Sequence, residues 1–235
     1  MIQNDQPAHF EKEAVLVSVS SYDDGNMSFS TGDEREVTNN RRFFLDSVSI
    51  DPLQTALVQV TFDTTDFTRY RIVDEDQLGE GILSPLVIHS ADALVATRPG
   101  QALFLPLADC AGAVLYDTKN HVLMVSHLGR QSVEINGAEK SIEFLCSEFD
   151  SNPKDIQVWL SPMVGPESYP LHAFSDRGLR DVIIEQLISA GVTAENIEFS
   201  SVDTAESDNY FSHSEFLAGE QSEDGRFALI AVMTE

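Results

Sequence analysis

The chain has 235 residues, with 39 acidic against 14 basic side chains and a formal charge of −25. A surface of that sign repels phosphate backbones and anionic lipid, so neither nucleic acid nor a membrane is an expected partner. No apolar run approaches the ~20 residues of a membrane span, the N-terminus shows no basic start followed by an apolar stretch, and two cysteines cannot make a disulfide framework, so a cytoplasmic protein with reduced thiols is expected.

Residues 1–13 are polar and read as a loose segment ahead of one domain over 14–235. The stretch AVLVSVS (14–20) alternates as a strand does. GDEREVTNNRRFFLDSV spaces Val37, Asn40, Arg41 and Phe44 along one helical face and predicts a helix from about Asp33 to Ser47, with acids in the first turn where the helix dipole favours them. TALVQVTF (55–62) and TRYRIVD (68–74) predict strands, and EDQLGEGILSP a loop. ADALVATRPGQALFLPLADC predicts a short strand, a turn at Arg98-Pro99-Gly100 and a buried strand.

AGAVLYD and HVLMVSH are continuous apolar runs, the pattern of strands covered on both faces. NGAEKSIEFLCSEFD repeats Ala138, Ile142, Leu145, Cys146 and Phe149 at helical spacing, which makes Cys146 a packing residue. IQVWL (156–160) is a strand, and SDRGLRDVIIEQLISAG is an amphipathic helix closed by Gly191. NIEFSSVD and RFALIAVM complete the strands. Roughly nine strands and three helices, mixed rather than alternating, predict a single α+β domain with helices on the outer faces of mixed sheets.

The runs AGAVLYD and HVLMVSH form a hairpin if the turn is centred between Thr118 and Lys119. In that register Tyr116 faces His121, Gly112 faces Val125 and, continuing outward, Cys110 faces His127. Opposed side chains share a face at about 4.5–5.5 Å between Cβ atoms, so a thiol and an imidazole meet at the open end of a buried hairpin. An imidazole that favours the thiolate would make Cys110 a nucleophile or a metal ligand. The alternative is a small buried thiol beside a hydrogen-bonded core histidine. Asp109 precedes Cys110 but points to the other face in an extended strand.

Several segments in order resemble one family. NMSFSTGDEREVTNNRRFF, ADALVATRPGQALFLPLADCAGAVLYD, SHLGRQ, DIQVWLSPMVGPESYPL and NYFSHSE…GRFALIAVM are similar to motifs of the laccase-domain, polyphenol oxidase-like (YfiH-like) family, from about residue 14 to the end. The resemblance implies a single α+β domain, purine nucleoside chemistry (phosphorolysis or deamination, with phosphate as co-substrate of the former) and a metal, usually zinc, held by His, Cys and His. Cys110 and His127 match the second and third ligands. Thr61, in QVTF, stands where the family has the histidine of QVHG, so His89, and less directly His213, are the substitute third ligands. The resemblance further implies a catalytic role for Asp109 and substrate contacts from Asn40, Arg41, Gly165 and Tyr169.

The family arginine of GWRG is replaced by Gln131, with Arg130 before it, and those of SYRR are replaced across His213, Ser214 and Glu215. His9, His121 and His172 carry no motif support. Copper is not expected, because a multicopper centre needs many imidazoles and this chain has six histidines with no His-x-His pair. Three readings follow: an enzyme acting on purine nucleosides, a catalytically weak relative that binds nucleosides or regulates, and a metal-free Cys110–His127 thiol hydrolase.

Overall fold

Two mixed sheets form the centre of the structure, a computed structural model that describes residues 15–234. The first runs β1 (Val15–Val19), β10 (Phe227–Met233), β5 (Ala102–Leu107), β2 (Thr55–Leu57). The second runs β3 (Tyr70–Ile72), β4 (Ala93–Ala96), β7 (Val122–Leu128), β6 (Ala111–Asp117), β8 (Ile156–Leu160), β9 (Ile197–Phe199). Three pairs are parallel, β2 with β5, β3 with β4 and β8 with β9; the others are antiparallel.

Both faces of the central strands are apolar because both are covered. Leu103 and Leu105 of β5 and Leu229 and Ala231 of β10 meet Val114 of β6 and Val125 of β7 in the core between the sheets. Their sequence neighbours Phe104 and Ile230 pack instead with Phe44 and Leu45 of helix α1 (Glu34–Ser47). On the far side, Leu115 and Met124 pack with Ile142 and Leu145 of α3 (Gly137–Phe149) and with Ile183 and Leu187 of α4 (Leu179–Ser189). The order of layers is therefore helix, sheet, sheet, helices, the α+β arrangement expected. Two short helices join the three predicted: α2 (Arg130–Val133) and α5 (His213–Ala218). Ten strands are found among the described residues. The loose segment expected over 1–13 lies outside them.

Several boundaries differ from expectation. The strand predicted over 55–62 stops at Leu57. Val58 still donates to the Phe104 carbonyl at 2.9 Å, after which the chain leaves the first sheet to reach β3 in the second. The strands predicted over 68–74 and over NIEFSSVD shorten to three residues each, Tyr70–Ile72 and Ile197–Phe199.

The hairpin register also differs. Gly112 faces His127, Val114 faces Val125 and Tyr116 faces Leu123. The turn has four residues because Asp117 Oδ1 accepts from the amides of Lys119 and Asn120 at 2.8 and 3.0 Å, and His121 takes a left-handed φ of 53°. The pairing slips by two residues, and a two-residue slip leaves every side chain on its original face. Cys110 and His127 therefore keep the same face but sit diagonally rather than opposite.

Helix α1 starts where Asp33 caps it, its carboxylate accepting from the amides of Arg35 and Glu36 at 3.0 and 3.1 Å. Asp33→Ala should cost about 1 kcal/mol, read as a lowered midpoint in urea unfolding with an unchanged slope.

Candidate functional site

The chain crosses between the two sheets directly after β5, and that crossing builds the site. Ala108–Cys110 links β5 in one sheet to β6 in the other. Asp109, at its middle, is buried and takes a left-handed φ of 73°. Side chains other than glycine adopt that conformation only when held. Here Asp109 Oδ1 accepts from Thr204 Oγ1 at 2.8 Å, Oδ2 from the Ser214 amide at 2.7 Å, and its carbonyl from the Val164 amide at 2.9 Å. Both carboxylate oxygens are occupied, and Asp109 does not line the pocket. Its position sets where Cys110 emerges.

A pocket of about 680 Å³ opens at this edge of the sheets, a size suited to a small organic ligand. Cys110 and His127 both line it, with Arg41, Gln131, His213 and Arg226 as its other hydrogen-bonding or charged side chains beside Ser28, Ser30 and Gln59. Its apolar walls include Phe29, Val60 and Phe62. In a chain with 39 acids, no carboxylate among the described residues lines this pocket and two guanidinium groups do.

Gly129 keeps the thiol and the imidazole adjacent. A Cβ on Gly129 would sit 2.8 Å from Cys110 Sγ and 3.2 Å from His127 Cε1. Its φ of −105° is open to any residue, so the demand for glycine is one of space. Phe62 lies edge-on to His127 with ring centroids 6.3 Å apart, and it is 63% exposed at the mouth of the pocket.

Burial dictates the protonation of the pair. Desolvation lowers His127 to about 4, partly opposed by Asp92. Desolvation raises the Cys110 thiol to about 12, with Asp109 adding to the rise and Arg226 opposing it. At neutral pH the free protein thus holds a neutral imidazole beside a neutral thiol, not an imidazolium–thiolate pair. That arrangement disfavours the thiol hydrolase.

Arg41, on α1, is buried and faces only carbonyls: Nε donates to Met27 at 2.7 Å, and Nη1 to Gly81 at 2.6 Å and Ile82 at 3.2 Å. Its guanidinium lies over the rings of Phe29 at 4.5 Å and Phe104 at 5.0 Å. No carboxylate balances it among the described residues, and desolvation lowers it to about 9. Arg226 and His213 share Asp224: Arg226 Nη1 and His213 Nδ1 lie 2.6 and 2.9 Å from its Oδ1.

The other sequence candidates lie elsewhere. Asn40 braces the 25–27 turn, donating to the Asn26 carbonyl at 3.0 Å. Gly165 packs on Asp203, whose Oδ2 is 2.1 Å from where a glycine Cβ would be, and Tyr169 packs against the core under α3 and α4. Neither lines the pocket. His89 turns to Glu80, Nδ1 to Oε2 at 2.8 Å, and is not a lining residue either. Arg130 begins α2 and pairs with Glu134 at 3.9 Å. Sequence reasoning missed Arg226, Phe62 and Gly129. The GRFALIAVM motif marked the place of Arg226, whereas Phe62 was hidden in an apparent strand. Among the described residues no group of three or more His, Cys, Asp or Glu side chains is arranged to hold one metal ion.

The family profile described as multi-copper polyphenol oxidoreductase laccase matches residues 8–176. The chain belongs to this family. Among its relatives are purine nucleoside phosphorylases of Bacteroides thetaiotaomicron, 23% identical over 154 residues, and of Corynebacterium glutamicum, 26% identical over 161. These matches cover 65% and 68% of this chain and 56% and 61% of those proteins, less than two thirds of their length. Two solved structures share the family fold across nearly the whole chain. The hypothetical protein YfiH of Bacillus licheniformis superposes with a TM-score of 0.84 at 19% identity, covering 97% of this chain and 96% of that one. YlmD of Geobacillus stearothermophilus does so with 0.86 at 17%, covering 100% and 98%. At such identities the likeness fixes the fold of this family member. No helix among its described residues is long and apolar enough to cross a membrane.

Two outcomes follow from the pair's geometry. Iodoacetamide at pH 7.5 should modify Cys110, whose thiol burial pushes up to about 12, no faster than Cys146 on α3, read by peptide mass spectrometry; faster labelling of Cys110 would restore the thiolate reading. Gly129→Ala should force the thiol and ring apart at a cost of about 1–3 kcal/mol, seen as a lower melting temperature.

Proposed function

We propose that this chain acts on purine nucleosides in the pocket that holds Cys110 and His127, with phosphorolysis as the main reaction. The observation that carries the reading is the charge pattern of the pocket: no carboxylate lines it, and of its two guanidinium groups Arg226 is paired with Asp224 while Arg41 meets only carbonyls and aromatic rings, in a strongly acidic chain. Such a cavity favours an anion such as phosphate beside a neutral ligand. The names borne by the relatives support the nucleoside as that ligand.

In this reading Arg41 holds phosphate, because a buried guanidinium that meets only carbonyls gains most from an anion. Phe62 offers a ring for the purine to stack on at the mouth. A phosphate oxygen forms a bond to C1′ of the ribose while the C1′–N9 bond breaks. The purine leaves with that electron pair and takes up a proton from the hydrogen phosphate. The uncharged imidazole of His127 can hydrogen-bond the departing base without competing for phosphate. Deamination of adenosine is the second reaction to assay. It would release ammonia and inosine without phosphate.

Liquid chromatography of inosine and adenosine incubated with and without phosphate tests the proposal. The expected result is free purine that appears only with phosphate. Arg41→Lys should raise the KM for phosphate roughly tenfold or more, since a point charge replaces the guanidinium fork. Phe62→Ala should raise the KM for the nucleoside. Absence of turnover with tight nucleoside binding would favour the binding module instead, and absence of both would contradict the proposal.

A further inference from the structure

The family resemblance implies a metal held by a histidine at position 61 together with Cys110 and His127. This chain has Thr61 there, and its surroundings show what has replaced the ligand. Thr61 Oγ1 accepts from Arg69 Nη1 at 2.8 Å, and its carbonyl accepts from Nη2 at 3.2 Å. Arg69 is held from behind: Nε and Nη2 grip the two oxygens of Asp92 at 2.7 and 2.8 Å. Asp92 is only 1% exposed, and its carbonyl accepts from the His127 amide at 2.8 Å. The guanidinium is thus tied to the strand that carries His127.

The donor set does not fit a divalent ion. Zinc at a catalytic site takes three protein donors, of which Cys110 and His127 supply two. Thr61, unlike its neighbours Val60 and Phe62, does not line the pocket that Cys110 and His127 share, and its hydroxyl is taken up by the Arg69 guanidinium, so it offers no third donor. His89 is engaged with Glu80 by its ring and its amide, both at 2.8 Å. His213 lines the pocket with its Nδ1 on Asp224 at 2.9 Å, but among the described residues it does not gather with Cys110 and His127 into a group that could hold one ion.

We propose that the Cys110–His127 pair of this chain works without a metal, and that the Asp92–Arg69–Thr61 brace replaces the missing ligand in holding the pocket wall beside His127. Arg69 is in this account a positioning residue. The proposal concerns the same pocket as the nucleoside reading but does not depend on it, because its readout is metal content.

The test is zinc per chain, measured by plasma mass spectrometry on protein produced in zinc-supplemented medium and passed through gel filtration. A cobalt(II) titration, read at the thiolate charge-transfer band, accompanies it. The wild-type chain should carry less than about a tenth of an ion and give no band, because two donors do not retain zinc through gel filtration. The variant Thr61→His/Arg69→Gln/Asp92→Asn removes the brace without stranding a buried carboxylate. It should gain roughly tenfold more zinc and the cobalt band. One equivalent of zinc on the wild type that disappears in Cys110→Ser overturns the proposal, whether or not the triple variant folds. A folded triple variant that still takes no metal overturns the assignment of the cause to Thr61 and Arg69. Zinc that persists in Cys110→Ser is bound elsewhere and leaves the pair metal-free, as proposed.

Discussion

The buried carboxylate of Asp92 is the point on which the pocket's architecture turns. A charge this deep is tolerated only when it is paired and hydrogen-bonded. Arg69 supplies both through two side-chain contacts, and its own amide adds a third at 3.0 Å to Oδ2. The charge-assisted pair in turn raises the guanidinium above its ordinary value. Because Arg69 also reaches Thr61, and the Asp92 carbonyl the His127 amide, four segments are tied together at one ion pair: the irregular stretch after β2, the entries to β3 and β4, and the end of β7.

A second polar residue does the same on the other side. Asp109 holds a left-handed backbone at the crossing from one sheet to the other, and partners from a distant loop and from the first turn of α5 fill its carboxylate. The pocket therefore lies where the chain changes sheets, framed by two buried acids that both point away from it. The cavity is left with neutral and cationic groups. The excess of negative charge on the chain and the cationic lining of the pocket are compatible because Asp92 and Asp109 are spent on the framework and Asp224 is paired with Arg226 and His213, which leaves Arg41 as the guanidinium without a carboxylate partner among the described residues.

Much of the fold was legible from periodicity. Helix α1 was readable because Val37, Arg41 and Phe44 share a buried face and Asp33 caps it. The double-sided strands were readable because β5, β6, β7 and β10 are covered on both faces. The shared face of Cys110 and His127 survived an error in register, since a slip of two residues preserves the face. The register itself was not legible: the four-residue turn depends on Asp117 gripping the amides of Lys119 and Asn120. The end of β2 was hidden because VQVTF alternates like a strand while its residues serve as a pocket wall. Long-range partnerships escaped for a different reason. Nothing local marks Arg69 as the partner of Thr61 and Asp92, or Glu80 as the partner of His89.

The central claim is that the edge where the chain crosses between sheets is a nucleoside and phosphate site organised around Cys110, His127 and Arg41. A crystal structure with a slowly reacting purine nucleoside analogue and phosphate tests it most directly. The account predicts the nucleoside against Phe62 and His127, phosphate on the Arg41 side of the same cavity, and Arg69 still bound to Thr61. Ligand density on any other face of the molecule, with this pocket holding only water, would contradict it.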